Sequence, residues 1–236
     1  MFQNNSATIN DKHTFYDYGL YVTNTNPVSP PKPRTQSIII PGRNGNLDIT
    51  EDLTGYTIYE NRTITLKMGG KKKAELWPSF MSTILNDIHG KMVKIVFDEE
   101  KDYYYIGRAT VNSDYNRVGQ IGTFTVTVDA EPYKYSTVDS MESWKWDSFS
   151  FVDGVIQSYS NLAVTGTLEF TISGSEMPVI PEFIASGEMS VEFEGKTYQL
   201  NAGKNKIYDI VIFNKEYQIK FTGNGTVAVS YRKGRL

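Results

Sequence analysis

Apolar and polar residues alternate with a period of two along most of this chain, and that alternation constrains the fold more than any other feature. Ile64, Leu66 and Met68 interleave with Thr63, Thr65 and Lys67. Val93, Ile95 and Phe97 recur around Lys94, and Phe124, Val126 and Val128 interleave with Thr123, Thr125 and Thr127. Successive side chains of a strand point to opposite faces, so each stretch reads as a strand with one buried and one wet face. Antiparallel sheets carry this signature; parallel sheets covered on both faces do not. The 16 Tyr and 12 Phe agree with it, because flat rings pack well on a pleated surface. The expected fold class is mainly β.

One helix interrupts the pattern. Trp77, Met81, Ile84, Leu85 and Ile88 follow the spacing of a single buried stripe, which predicts a helix within Lys71–His89. Pro78 suits a first turn, so the regular part starts near it, and Gly90 is a C-terminal stop. His89 in the last turn reads as a surface group facing the helix dipole. Asn24–Arg34, NTNPVSPPKPR, holds four prolines and cannot be a central strand or a helix. It reads as an extended, stiff connector, either a surface loop or an arm that reaches a neighbouring subunit.

The alternation breaks at Glu131–Ser143 and then resumes, which predicts two domains, 1–135 and 136–236. In the second, Leu162, Val164, Leu168, Phe170 and Ile172 share one face. Met189, Val191 and Phe193 form another, as do Tyr217, Ile219 and Phe221, and Val227, Val229 and Tyr231. Turn signals fall at Glu194-Gly195-Lys196, Asn214-Lys215 and Gly223-Asn224-Gly225. Short strands at this spacing imply a β-sandwich.

Charge and residue usage exclude several chemistries. The 24 basic and 27 acidic residues divide as 15 and 15 up to Tyr135, then 9 and 12. Neither part has the positive excess that non-specific nucleic-acid binding requires. Without cysteine there are no disulfides, thiolate metal sites or thiol nucleophiles. No apolar run is long enough for a membrane helix, and the start MFQNNSATINDKH lacks the features of a signal peptide. A soluble protein made in a cytoplasm is expected. The sequons at Asn4, Asn61 and Asn224 carry little meaning in such a chain.

Candidate reactive groups have plain readings. Asp98, Glu99, Glu100 and Asp102 form the densest carboxylate set, but they lie between two strands around Lys101 and read as an exposed hairpin tip. Their spacing is not that of a calcium loop. Gly69-Gly70-Lys71-Lys72-Lys73 lacks the spacing and the Ser/Thr of a phosphate loop and reads as a solvated basic turn. Gly119 and Gly122 flank a turn. Trp144 and Trp146, near Phe149 and Phe151, could stack on sugars or bases, or could fill one face of a sandwich core. His13 and His89 have no nucleophile beside them in sequence. No catalytic residue, metal or cofactor is expected.

Several ordered stretches carry a resemblance. They are FYDYGLYV at Phe15–Val22, IIIPGRNGNLDITEDLTGYTIYENRTITLKM at Ile38–Met68, EPYK at Glu131–Lys134 and NGTVAVSYRKGRL at Asn224–Leu236. Together with the helix and the hairpin Met92–Phe97/Tyr103–Val111 between them, they resemble the distal tail protein family of siphophages, mainly those of Gram-positive hosts. The resemblance implies an N-terminal domain that forms a hexameric ring, single or double, around a channel. It also implies a galectin-like C-terminal sandwich that projects outward, without room for an inserted sugar-binding module. Such a protein sits at the virion tail tip, joins the tail tube protein to a tail-tip protein, and passes DNA without specific binding. Head-to-tail closure needs different surfaces on each copy. The interface candidates are Pro27, Pro30, Pro31 and Pro33 with the turn Pro41, Gly42, Arg43, Asn44 and Gly45. Gly42 and Gly45 flank Arg43-Asn44, where a sharp turn favours glycine at positive φ. Rival readings are a tail tube protein, which would stack into long tubes, and a receptor- or carbohydrate-binding module that uses Trp144 and Trp146. An enzyme is the remotest reading.

Overall fold

The computed structural model describes residues 6–141 and 159–236. The chain is mainly β with one α-helix, and it divides into two compact units, 1–134 and 135–236.

Unit 1 contains β1 (Ala7–Ile9), β2 (Lys12–His13), β3 (Leu20–Val22), β4 (Ser37–Ile38), β5 (Leu47–Asp48) and β6 (Arg62–Lys71). A 3-10 turn at Ala74–Leu76 and helix α1 (Trp77–Ile88) follow. Then come β7 (Met92–Phe97), β8 (Tyr103–Val111), β9 (Asn116–Val118) and β10 (Ile121–Ala130). The sheet order is β2-β1-β7-β8-β10-β6-β3, every pair antiparallel, with β9 also on β10 and β4-β5 as a separate ribbon. The alternation sets the register. In the β10–β6 ladder, Phe124 faces Met68, Val126 faces Leu66 and Val128 faces Ile64, and all six are buried. A slip of one residue would turn this set to water, so the pairing is strongly specified.

Helix α1 covers the apolar face. Trp77, Ile84 and Ile88 are buried, and Phe80 and Met81 pack half-buried on the same core. Leu85 departs from the expected stripe and is exposed. At about 100° per residue it lies at the rim of a stripe centred on Trp77, Ile84 and Ile88. The helix ends as expected, with Gly90 at φ +73° beyond an extended His89. The expected basic turn at Gly69–Lys73 is corrected: Gly69, Gly70 and Lys71 complete strand β6. Glycine is needed at position 70 because a Cβ there would lie 2.7 Å from the Gly19 carbonyl oxygen. Lys72 is partly buried over the Phe80 ring at 4.1 Å, and that desolvation lowers its pKa.

In chain order β11 (Lys134–Ser136) comes next, at the point in the sequence where the units divide. Unit 2 continues with β12 (Leu162–Ser173), β13 (Glu182–Ala185), β14 (Met189–Phe193), β15 (Lys196–Leu200), β16 (Gly203–Lys206), β17 (Glu216–Ser230) and β18 (Gly234–Arg235). The main sheet runs β15-β14-β17-β13-β16, with β12 along β17 over twelve residue pairs. The expected turns at Glu194-Gly195 and Asn214 are present, with φ of +47°, +79° and +48°. Gly223-Asn224-Gly225 is no turn. It lies inside the single 15-residue strand β17. Residues 219–223 pair with β14, and 227–230 pair with β13, so the glycines mark the point where β17 changes neighbours. A Cβ at Gly223 would meet that of Met189 at 2.7 Å. Phe221 centres the core, stacked on Phe170 at 5.6 Å and edge-on to Phe183 at 5.8 Å.

Candidate assembly surface

The interface candidates occupy one continuous excursion of unit 1, and the structure divides it in two. The first part is not a free arm. Beyond β3 the chain stays beside β6 as an extended edge. Thr23 N–H donates to Lys67 O at 2.8 Å, Thr65 N–H to Pro27 O at 2.7 Å, Ser29 N–H to Thr63 O at 3.0 Å and Arg34 N–H to Ile58 O at 2.8 Å. Val28 bridges to Ile64, and Pro33 to Tyr59. Proline at 27 cannot donate into this ladder, and the Asn24 side chain replaces the missing bond. Its Nδ2 donates to Thr65 O at 2.7 Å, and its Oδ1 accepts from Lys67 N–H at 3.0 Å. Pro31 is buried, Pro27 half-buried, and Pro30 and Pro33 exposed.

The second part projects. From residue 35 to residue 57 nothing is fully buried. The ribbon β4-β5 has two residue pairs, Ser37–Asp48 and Ile38–Leu47. Its tip is the Pro41–Gly45 turn, every residue of it exposed. Arg43 N–H donates to Ile40 O at 3.1 Å, and Gly42 and Gly45 adopt φ of +82° and +76°, as the glycine pattern predicts. Asp48 braces the base: Thr50 N–H and Oγ1 donate to its Oδ1 at 2.9 and 2.5 Å. These hydrogen bonds to the Thr50 side chain and backbone hold its carboxyl below the usual range. A two-stranded ribbon this short is marginal alone in water.

The projection is nonetheless apolar. Ile39 is 77% exposed and Leu53 91%, and Ile38, Ile40 and Ile58 are also exposed. Full burial of such a side chain contributes about 1.5–3 kcal/mol, so several on one projection form a surface that favours a partner. Sequence reading pointed to the prolines and the tip but missed Ile38, Ile39, Ile40 and Leu53 as the apolar content. The uninterrupted Ile-Ile-Ile before Pro-Gly was the available signal, since alternation would have interposed a polar residue.

The other candidates fall elsewhere. Trp144 and Trp146 lie outside the described residues. The acidic hairpin tip is less solvated than expected: Asp98 Oδ2 is 2.9 Å from His13 Nε2, and Glu100 pairs with Lys134 at 2.6 Å. No group of three potential metal ligands occurs among the described residues. His13 is structural, its Nδ1 accepting the Phe15 and Tyr16 N–H groups at 3.1 Å. His89 is exposed, and its Nδ1 accepts the Val111 N–H at 3.0 Å. Tyr18 donates to Asp87, which also pairs with Lys12 at 2.7 Å; burial, then this bond, raises the Tyr18 pKa. In unit 2 a groove of about 490 Å³ is lined by Glu169, Glu192, Glu194, Lys215, Gln218 and Lys220. Lys215 pairs with Glu194 at 2.9 Å and Lys220 approaches Glu169 at 3.6 Å, so both lysines of the groove already have carboxylate partners. No described helix is long and apolar enough to cross a membrane.

No protein-family model matches the sequence, and no curated protein matches it. A solved structure does match: SPP1 Dit (gp 19.1), described as a paradigm of the hub adsorption apparatus in phages that infect Gram-positive bacteria. The superposition covers 99% of this chain and 100% of that one, with a TM-score of 0.58 and 13% identity. The chain shares its fold with SPP1 Dit. The likeness to SPP1 Dit spans both compact units, so the whole chain corresponds to the whole of that protein.

Proposed function

We propose that this chain is a distal tail protein, the hub of a siphophage or prophage tail tip. The observation that carries this reading is the full-length match of fold to SPP1 Dit, a hub protein, over both units. The exposed apolar projection supports it, because a protein that works as an assembled collar needs a surface with no use in the monomer. In this reading unit 1 closes a hexameric ring, single or double, and unit 2 is a galectin-like domain directed outward. The ring links the tail tube protein above to a tail-tip protein below, and DNA passes through its channel without specific binding. The role is structural, exercised in the virion, and needs no cofactor.

The subunit interface in this proposal is the projection: the turn Pro41, Gly42, Arg43, Asn44 and Gly45 carried on Ile38–Ile40, with Pro27, Pro30, Pro31 and Pro33 as its stalk. Light scattering over a concentration series tests the reading. Six copies of a 26.7 kDa chain give a particle of about 160 kDa. That mass, or twice it, is the expected result, and a ring with a central hole is expected in negative stain. A chain that stays monomeric at the highest concentration, both alone and mixed with its tail tube protein, overturns the ring; long filaments favour a tube protein instead.

A further inference from the structure

We propose that Pro30 and Pro33 guard the outer edge of the unit 1 sheet, so that a strand of a second copy cannot add to it. In an antiparallel ladder, successive residues turn their N–H groups alternately toward the paired strand and away from it. Ser29 and Arg34 turn theirs inward, to Thr63 O at 3.0 Å and Ile58 O at 2.8 Å, and Lys32 O accepts from Glu60 N–H at 2.8 Å. Val28 and Pro33, each flanked by inward-turned groups, therefore face outward; between Ser29 and Lys32, both turned inward, the alternation breaks at Pro30-Pro31, with Pro30 exposed and Pro31 buried. Proline has no N–H, so this stretch offers an incoming strand one donor, Val28.

The two kinds of proline are treated differently. Where Pro27 removes an inward donor, Asn24 Nδ2 supplies one, at 2.7 Å from Thr65 O. Where Pro30 and Pro33 remove donors, the loss is left in place on exposed residues. An inward gap weakens the fold and is filled; an outward gap weakens only a contact with another chain. The opposite edge of the sheet, β2, is two residues long and offers little to pair with. Ile38–Ile40, which starts a few residues beyond Pro33, is the kind of apolar strand that an open edge would recruit from a second copy. With residues 28–34 of this edge blunted, open-ended strand addition along that stretch is suppressed. This holds whatever the number of copies in the native assembly.

The test compares Pro30→Thr/Pro33→Val, which restores two donors, with Pro30→Lys/Pro33→Lys, which restores the donors but adds edge charge. Light scattering and thioflavin fluorescence are read at matched concentrations, with circular dichroism to verify the fold. The Thr/Val variant is expected to form species larger than any in the wild type, with an association constant at least about tenfold higher, the scale of two regained hydrogen bonds. The Lys/Lys variant, which also puts charge into the proposed interface, is expected to form no species larger than those of the wild type, since lysine protects an edge. Identical size distributions for Thr/Val and wild type overturn the proposal. So does equal association of both variants, which would trace the effect to lost proline stiffness. If the Thr/Val double variant does not fold, the single variants Pro30→Thr and Pro33→Val are read against the same two outcomes.

Discussion

Residues 20–34 and residues 35–57 are neighbours in the chain and both are rich in turn formers, yet they behave in opposite ways. The first stretch lies along β6 and the residues just before it, and its inward-turned N–H groups, such as those of Thr23, Ser29 and Arg34, find partners there. The second leaves the sheet, makes a ribbon of two residue pairs and exposes Ile39 and Leu53. The difference is not one of propensity, since the paired stretch holds the greater number of prolines. What separates them is a neighbouring strand in register, plus one side chain, Asn24, that covers the donor Pro27 lacks. Proline density alone therefore does not decide whether a segment is free.

The contrast predicts that equal substitutions have unequal effects on the two stretches. Ile64→Ala, in the strand that the first stretch covers, empties a fully buried site and should cost about 2–5 kcal/mol in urea unfolding. Ile39→Ala in the projection should change stability by less than about 0.5 kcal/mol while lowering the scattering mass of the assembly. If Ile39→Ala destabilises the monomer as much as Ile64→Ala does, the projection is part of the core and the contrast fails.

Glycines sharpen the same point. Gly70→Ala drives a Cβ to within 2.7 Å of the Gly19 carbonyl oxygen and should cost about 1–3 kcal/mol, read as a lower melting temperature. Gly42→Ala meets no atom within 4 Å and carries only the strain of its positive φ, about 1 kcal/mol. Asn24→Ala removes both bonds that bridge the gap at Pro27 and should cost about 1–2 kcal/mol in urea unfolding, with faster amide exchange at Lys67. An unchanged exchange rate there would mean that the ladder closes without it.

The smallest effect lies at the base of the projection. The Asp48 carboxyl is held below its ordinary value near 3.8, so its contribution to local order is present above that pH and is lost as pH falls through the lowered value. Thr50→Ala removes the side-chain bond and should raise the Asp48 titration midpoint toward the ordinary value in an NMR titration. A midpoint that does not move would show that the backbone N–H of residue 50 holds the carboxylate by itself.

Much of the architecture was legible in the residues. The ladders around Ile64, Val93 and Phe124, the helix over Trp77–Ile88 with its stop at Gly90, and the turns at Gly42, Gly45, Glu194 and Asn214 follow from period and turn chemistry acting over a few residues. The misreadings share a cause. Gly69-Gly70 and Gly223–Gly225 look like turns because glycine favours them, but they lie in strands where another backbone or Met189 comes close. Asp98 and Glu100 look like solvated tip residues, but His13 and Lys134 come from distant parts of the chain to pair with them.

By itself, then, the sequence determined where the apolar cores of the long strands run, which face of each avoids water, and where the helix stops, because these depend on side-chain periodicity and on the local freedom of glycine and proline. Only the tertiary structure decided that 20–34 is an edge and 35–57 a projection, that β17 serves two neighbours, and that the isoleucines of the projection stay uncovered. Those outcomes depend on which distant backbone comes within hydrogen-bonding distance, and no local pattern encodes that.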